Sequence, residues 1–89
     1  MKKFDGSPRT PEVVISDNKM TIVGECYPED IVSFSRPIFD ATIEYLERAE
    51  EFEVELELFY FNSSSAKFLY DFFEILEQAA TDGKKIVVN

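Results

Sequence analysis

One stretch near the middle of the chain alternates between apolar and acidic residues, and it restricts the possible folds more than any other. Phe52, Val54, Leu56 and Leu58 are separated by single glutamates, which predicts a β-strand with one apolar and one acidic face. The alternation stops at residues 59–61, which are all aromatic. We therefore expect a strand that is half exposed at its start and buried on both faces at its end.

A helical pattern follows this strand after only four polar residues, Asn62-Ser63-Ser64-Ser65. Apolar residues recur every three or four positions up to Asp82, which predicts an amphipathic helix that begins near Ser64. Gly83 suits the position just after a helix, and residues 86–88 predict another strand. Two strands joined by a helix form a βαβ unit, so they are expected to be parallel, with a right-handed connection.

The first half of the chain predicts an antiparallel hairpin. Residues 12–16 and 20–26 are short runs rich in β-branched side chains. Asp17 and Asn18 lie between them, and both residue types tolerate the backbone conformation of tight turns. Gly24 in the second run predicts a bulge or a close approach of neighbouring backbone.

A second helical pattern lies between the hairpin and the central strand, over residues 34–49. Ser33 or Ser35 is expected to cap this helix, which would place Pro37 in its first turn or just beyond, where a missing N–H costs least. The predicted order is β-β-α-β-α-β. This order describes a small α/β domain with a mixed sheet and its helices mainly on one face.

The length of 89 residues suits one domain and not two. Residues 1–11 contain one glycine and two prolines and are expected to form a loose N-terminal arm. Residues 12–89 then constitute the folded domain. Because 45% of the residues are hydrophobic, the chain has enough apolar material for a packed core.

The net charge is −9, with 18 acidic and 9 basic residues. Such a surface repels nucleic-acid phosphates and anionic membranes, so we expect neither as a partner. No apolar run approaches the roughly 20 residues that span a bilayer, and the first residues lack the apolar segment of a signal peptide. The single Cys26 cannot form an internal disulfide, which suits the reducing cytoplasm, where we expect the protein to act.

The residue types argue against an enzyme. The chain has no histidine, which excludes the usual zinc sites and any Ser–His or Cys–His nucleophile pair. It also lacks a Gly-rich phosphate loop of the GxxxxGK[ST] kind. The strand glutamates stand about 7 Å apart along one face and lack the loop carbonyls that calcium recruits. We therefore expect no metal and no cofactor.

The polar junction at residues 62–65 has two interpretations. Asn and Ser side chains commonly accept hydrogen bonds from the first free N–H groups of a helix, and this capping role would account for one of the four residues. A helix N-terminus is also favourable for a phosphate, so a serine placed there could serve as a phosphorylation switch.

Three segments, including this junction, resemble the SiaC-type bacterial regulatory phosphoproteins. They are residues 24–30 (GECYPED), 56–79 (LELFYFNSSSAKFLYDFFEILEQA) and 85–89 (KIVVN). That family is similar to the STAS anti-sigma-factor antagonists, in which a serine or threonine at the strand-to-helix junction is phosphorylated. The resemblance implies a STAS-like domain. It also implies further strand and helix after Asn89, so we expect the present chain to lack the C-terminal part of a family member.

The resemblance also implies a function. Ser63, directly after Asn62, matches the phosphoacceptor, and Ser64 is the second choice because the STAS pattern places the hydroxyl one residue later. An anti-sigma-factor-type serine/threonine kinase would add the phosphate and a PP2C-type phosphatase would remove it. The unmodified form would bind and activate a diguanylate cyclase, a source of cyclic-di-GMP, and so promote biofilm formation. Asn62, Ser65 and Lys67 are expected to contact the partner.

One alternative stays open at the level of sequence. The chain would be a constitutive, non-catalytic interaction domain if its serines only cap the helix. Replacing Ser63 with Ala would then change stability alone, by about 0.5–2 kcal/mol.

Overall fold

A five-stranded sheet forms the centre of the molecule, and its strands lie side by side in the order in which they occur in the chain. The computed structural model describes all residues, 1–89. The strands are β1 (Lys2–Phe4), β2 (Glu12–Ile15), β3 (Lys19–Cys26), β4 (Glu51–Phe61) and β5 (Lys85–Val88), and the helices are α1 (Ile31–Arg48) and α2 (Ser63–Thr81).

The sheet is mixed, with its antiparallel part at the N-terminal end of the chain. β1–β2 and β2–β3 are antiparallel, whereas β3–β4 and β4–β5 are parallel. Helix α1 connects the first parallel pair and helix α2 connects the second. The predicted α/β class, the hairpin and the parallel βαβ unit are therefore confirmed.

The observed order contains one strand that the sequence patterns did not predict. Within the arm predicted to be loose, Lys2 pairs with Ile15 and Phe4 pairs with Val13, which places β1 against the free edge of β2. A three-residue strand is too short to show a two-residue period. Its formation depends on the unpaired backbone groups of β2, which β1 covers. The division of the chain at residue 11 stays a prediction.

Both helices bury their apolar stripes in one core. A single cluster of 15 buried residues includes alternate positions of β2, β3 and β4 together with inward residues of both helices. The ring of Phe68 is central to it, stacked on Phe39 with ring centroids 5.4 Å apart and close to Phe34 and Phe72. The largest fully buried side chains include Phe52, Phe68, Phe72, Ile15, Met20, Ile22 and Ile38.

The end of β4 differs from the prediction. Gly24 pairs with Leu58 and Glu25 pairs with Tyr60, so Phe59 is an extra residue on β4 and forms a bulge. Phe59, Tyr60 and Phe61 are 68%, 53% and 46% exposed. The expected burial on both faces is therefore wrong: the bulge interrupts the ladder, and all three aromatic side chains are exposed.

Gly24 has the role that its position predicted. It lies at the register shift between β3 and β4, and its φ is +134°, a conformation that other residues rarely adopt. A Cβ atom at this position would lie 3.2 Å from the Cα of Pro11. The glycine therefore permits both the bulge and the close approach of the N-terminal segment.

Helix α1 begins earlier than predicted, and neither Ser33 nor Ser35 caps it. Asp30 is the cap: its Oδ1 accepts a hydrogen bond from Ser33 N at 3.1 Å. The hydroxyl of Ser33 donates to the same carboxylate at 2.8 Å, and this bond is the main reason why the pKa of Asp30 is lowered. Pro37 consequently lies in the second turn of the helix.

The end of helix α2 agrees with the prediction. Gly83 has a positive φ of 98°, and its N–H donates to Ala80 O at 3.0 Å while Lys84 N donates to Ala79 O at 3.1 Å. The Lys84 ammonium donates to the carbonyl of Ala49, the C-terminal cap of α1, at 2.7 Å. Lys84 therefore stabilises the negative end of α1.

Replacing Phe72 with Ala is expected to lower the free energy of unfolding by about 3–5 kcal/mol, because its ring is fully buried. Phe73→Ala is the matched control and should cost about 1 kcal/mol or less, because Phe73 is 40% exposed. Urea unfolding monitored by circular dichroism measures both values. Equal losses of unfolding free energy in the two variants would contradict the orientation of α2 that buries Phe72 and exposes part of Phe73.

Candidate functional site

The polar junction lies where β4 ends and α2 begins, beside the end of β3. The side-chain oxygen of Asn62 accepts a hydrogen bond from Ser65 N at 3.0 Å, and the carbonyl of Asn62 accepts one from Ala66 N at 3.0 Å. Asn62 N in turn donates to the carbonyl of Cys26 at 3.4 Å. Asn62 is thus the N-cap of α2 and also the link between the ends of the two central strands.

The three serines of the junction occupy different environments. Ser63 and Ser64 are exposed on the first turn of α2, whereas Ser65 is completely buried. Ser63 and Ser64 are therefore accessible from solvent in the folded protein. Ser65, which was also predicted to contact a partner, lies beneath the surface.

The buried hydroxyl of Ser65 has no hydrogen-bond partner of acceptable geometry. It lies near the thiol of Cys26. Burial raises the pKa of that thiol, and the hydroxyl of Ser65 has a smaller effect in the opposite direction. From the sequence, Cys26 was identified only as a thiol without a disulfide partner. Its place under the junction follows from the parallel pairing of β3 with β4, which sets Cys26 opposite Phe61.

The electrostatics at the start of α2 favour a negative group. The first turn holds no acidic side chain, and the N–H groups of Ser63 and Ser64 have no partner within the helix. These N–H groups and the helix dipole together produce a partial positive charge. The nearest cationic side chain of the helix belongs to Lys67, whose Nζ lies 3.1 Å from Asp71 Oδ2.

Two apolar features flank the junction. The exposed aromatic residues 59–61 precede it, and Tyr60 makes an edge contact with Tyr27, with ring centroids 5.6 Å apart. A groove of about 320 Å³ between α1 and α2 follows it, with Phe39 and Phe68 among its apolar residues and Lys67 at its rim. The aromatic surface at residues 59–61 was not predicted from the sequence, because these residues were expected to be buried.

The structure contains no group of three or more His, Cys, Asp or Glu side chains arranged to hold a metal ion. None of its helices combines the length and the apolar character needed to cross a membrane. The chemistry of the junction is therefore that of two exposed hydroxyls, a capped helix N-terminus and a nearby ammonium group.

Comparisons with known proteins agree with this geometry. A sequence model of the SiaC family, whose members are regulatory phosphoproteins, matches residues 4–89. The structure of apo-SiaC from Pseudomonas aeruginosa is similar, with a TM-score of 0.89 and 25% identity over 99% of this chain and 77% of that chain. SiaC in the crystal structure of the diguanylate cyclase SiaD with its activator SiaC, from the same organism, gives a TM-score of 0.90 and 24% identity over 99% and 75%. No curated protein sequence matches the chain.

Asn62→Ala is expected to lower the free energy of unfolding by about 1 kcal/mol, because Ser65 N would lose its hydrogen bond. Ser65→Ala should leave it unchanged or raise it by up to about 1 kcal/mol, since it removes an unpaired buried hydroxyl and adds a better helix former. Thermal and urea unfolding measure both variants. A large loss in Ser65→Ala would show that the hydroxyl has a stabilising partner.

Burial of Cys26 predicts a specific loss of stability at alkaline pH. Burial raises the pKa of the Cys26 thiol in the folded protein above its ordinary value. Its contribution to the free energy of unfolding is therefore complete below the unfolded pKa and is lost as pH rises toward the folded pKa. Urea midpoints at pH 7 and pH 10 measure the loss. Cys26→Ala, which cannot ionise, should lose less between the two pH values, and an identical loss would contradict the assignment.

Proposed function

The chain belongs to the SiaC family of regulatory phosphoproteins, and on this basis we propose that it is a phosphorylation-controlled protein-binding switch in bacterial signalling. The unmodified form binds and activates a partner, and a phosphate on Ser63 releases that partner. The observation that carries the proposal is the position of Ser63, which is exposed at the capped N-terminus of α2, directly after Asn62.

The phosphate is compatible with the folded state. It would lie beside the unpaired N–H groups of the first turn, where a negative charge is typically worth 0.3–1 kcal/mol of stabilisation. The cap uses the side chain of Asn62, so modification of Ser63 leaves that hydrogen bond in place. The modification therefore changes the surface and preserves the fold.

Release follows from charge and from desolvation. A phosphate adds about −1.5 to −2 charges at pH 7 to a chain whose net charge is −9. Residues 59–61 beside it are exposed aromatic side chains, of the kind that form the buried centre of interfaces. A doubly charged group at the edge of such a contact would have to be desolvated or paired, and either requirement weakens binding.

The proposed partners follow from the family and from the relative in complex. The similar SiaC of Pseudomonas aeruginosa is the activator of the diguanylate cyclase SiaD. We therefore assign a diguanylate cyclase as the partner that this chain activates, with an anti-sigma-factor-type kinase and a PP2C-type phosphatase setting the phosphorylation state. The chain itself catalyses no reaction in this scheme. It acts in the cytoplasm, where the unpaired thiol of Cys26 stays reduced.

Two exposed hydroxyls compete for the role of phosphoacceptor. Ser63 is the first helical residue and Ser64 is the second, and both are accessible. We assign Ser63 because it directly follows Asn62, as in the family pattern, and Ser64 is the second choice. Among the remaining proposed contacts, Asn62 is half-buried and Lys67 is exposed, so both present polar atoms beside the phosphoacceptor.

Binding to the diguanylate cyclase from the same genome tests the proposal. Phosphoserine at position 63, and the variant Ser63→Glu, are expected to weaken binding at least tenfold, or about 1.4 kcal/mol, in isothermal titration calorimetry. Ser63→Ala should bind as the unmodified protein does.

Gln78→Glu is the control for net charge, because it adds one negative charge near the other end of the same helix. It should bind normally. If Ser63→Glu and phosphoserine 63 bind normally but a phosphate on Ser64 weakens binding, the switch uses the second hydroxyl. If a phosphate at neither position weakens binding, the chain is a constitutive interaction domain.

A further inference from the structure

Lys67 is the only cationic residue of α2, which also carries Asp71, Glu74 and Glu77. Its side chain is 75% exposed. It lies four residues after Ser63, and on an α-helix this spacing places two side chains on the same face, about 5–6 Å apart at their Cβ atoms. The ammonium group is therefore within reach of a phosphate on Ser63.

The present partner of Lys67 holds it weakly. The Nζ atom lies 3.1 Å and 3.4 Å from the two carboxylate oxygens of Asp71, four residues toward the C-terminus. Exposed pairs of this kind contribute little to stability. The order also matters, because an acidic group N-terminal to a lysine is better placed than one C-terminal to it.

A phosphate on Ser63 differs from Asp71 in two respects that favour pairing with Lys67. It precedes Lys67, which is the favourable order, and it lies on the N-terminal side, toward which the Cα–Cβ bonds of a helix are inclined. It also carries up to two negative charges, whereas Asp71 carries one.

We propose that Lys67 is the residue that pairs with the phosphate on Ser63, and that it exchanges Asp71 for this phosphate when the protein is modified. The inference rests on the proposed phosphorylation of Ser63. Its consequence extends beyond the modified residue, because Lys67 and Asp71 both line the groove between α1 and α2. Modification withdraws the ammonium from Asp71, and the same groove is also lined by Arg36, which forms no salt bridge in the unmodified protein.

Phosphorus NMR on full-length protein with phosphoserine incorporated at position 63 tests the pairing. A nearby ammonium group favours the dianion, so the second pKa of the phosphate, normally about 6, should be lower in the wild-type background than in Lys67→Gln. The expected difference is roughly 0.2–0.4 pH units, the shift that a helical pair at this spacing produces. Lys67→Arg should keep the wild-type value, because it keeps the charge.

Lys85→Gln is the matched control. It removes the same charge. In the sheet, however, Lys85 of β5 lies beside Glu51 at the start of β4, and the junction lies at the other end of that strand. It should leave the phosphate titration unchanged. Asp71→Asn provides a further check, because the effect of Lys67→Gln should be larger when the competing carboxylate is absent. Coincident titrations of the wild type and Lys67→Gln, or equal shifts in Lys67→Gln and Lys85→Gln, would overturn the proposal.

The two proposals fail in different measurements. The phosphate is incorporated during synthesis, so the pairing is measured without kinase or partner and does not depend on whether the partner is released. If the titrations show no pairing while phosphoserine 63 still weakens binding to the cyclase, the switch operates through the phosphate alone. If pairing is present and binding is unaffected, the pairing stands and the proposed function does not.

Discussion

The burial of Phe68 and Phe72 in the core sets the rotational orientation of α2. The same orientation leaves Ser63 and Lys67 on the surface. The hydrogen bond from Ser65 N to the side chain of Asn62 sets only the residue at which the helix begins. A rotation of α2 by one residue, about 100°, would expose core aromatics and turn Ser63 and Lys67 away from their present directions. The core and the candidate site thus depend on the orientation of one helix.

Much of the architecture could be predicted because it is encoded in local periodicity. The alternation that starts at Phe52, the helical stripe from Phe68 and the turn residues before β3 all act within a few positions along the chain. The errors concern features that depend on neighbours in space. Aromatic residues at the end of β4 suggest burial, but their exposure follows a bulge at Phe59 that depends on the pairing of β4 with β3. The cap of α1 was misplaced because Asp30 precedes two serines that are equally good candidates by type.

The candidate site was located from the sequence, but its members could not be ranked there. Three consecutive serines have the same chemistry, and only the burial of Ser65 against Cys26 distinguishes it from the two exposed hydroxyls. That contact joins residues almost forty positions apart, through a parallel strand pair whose register no local pattern specifies. The partnership of Lys67 with Asp71 is different, since a spacing of four on a predicted helix already suggests it.

The order of strands in the sheet has a consequence for how the molecule assembles during synthesis. Each strand lies beside the strand that precedes it in the chain, so every new strand from β2 to β5 meets an edge that is already made. No strand has to be inserted between two others, and no early strand must wait for a distant partner. A nascent chain can therefore extend its sheet in one direction as the ribosome releases it. The serines acquire their helical setting only after β4 has joined this growing edge, so the junction at residues 62–65 forms later than the four strands that precede it.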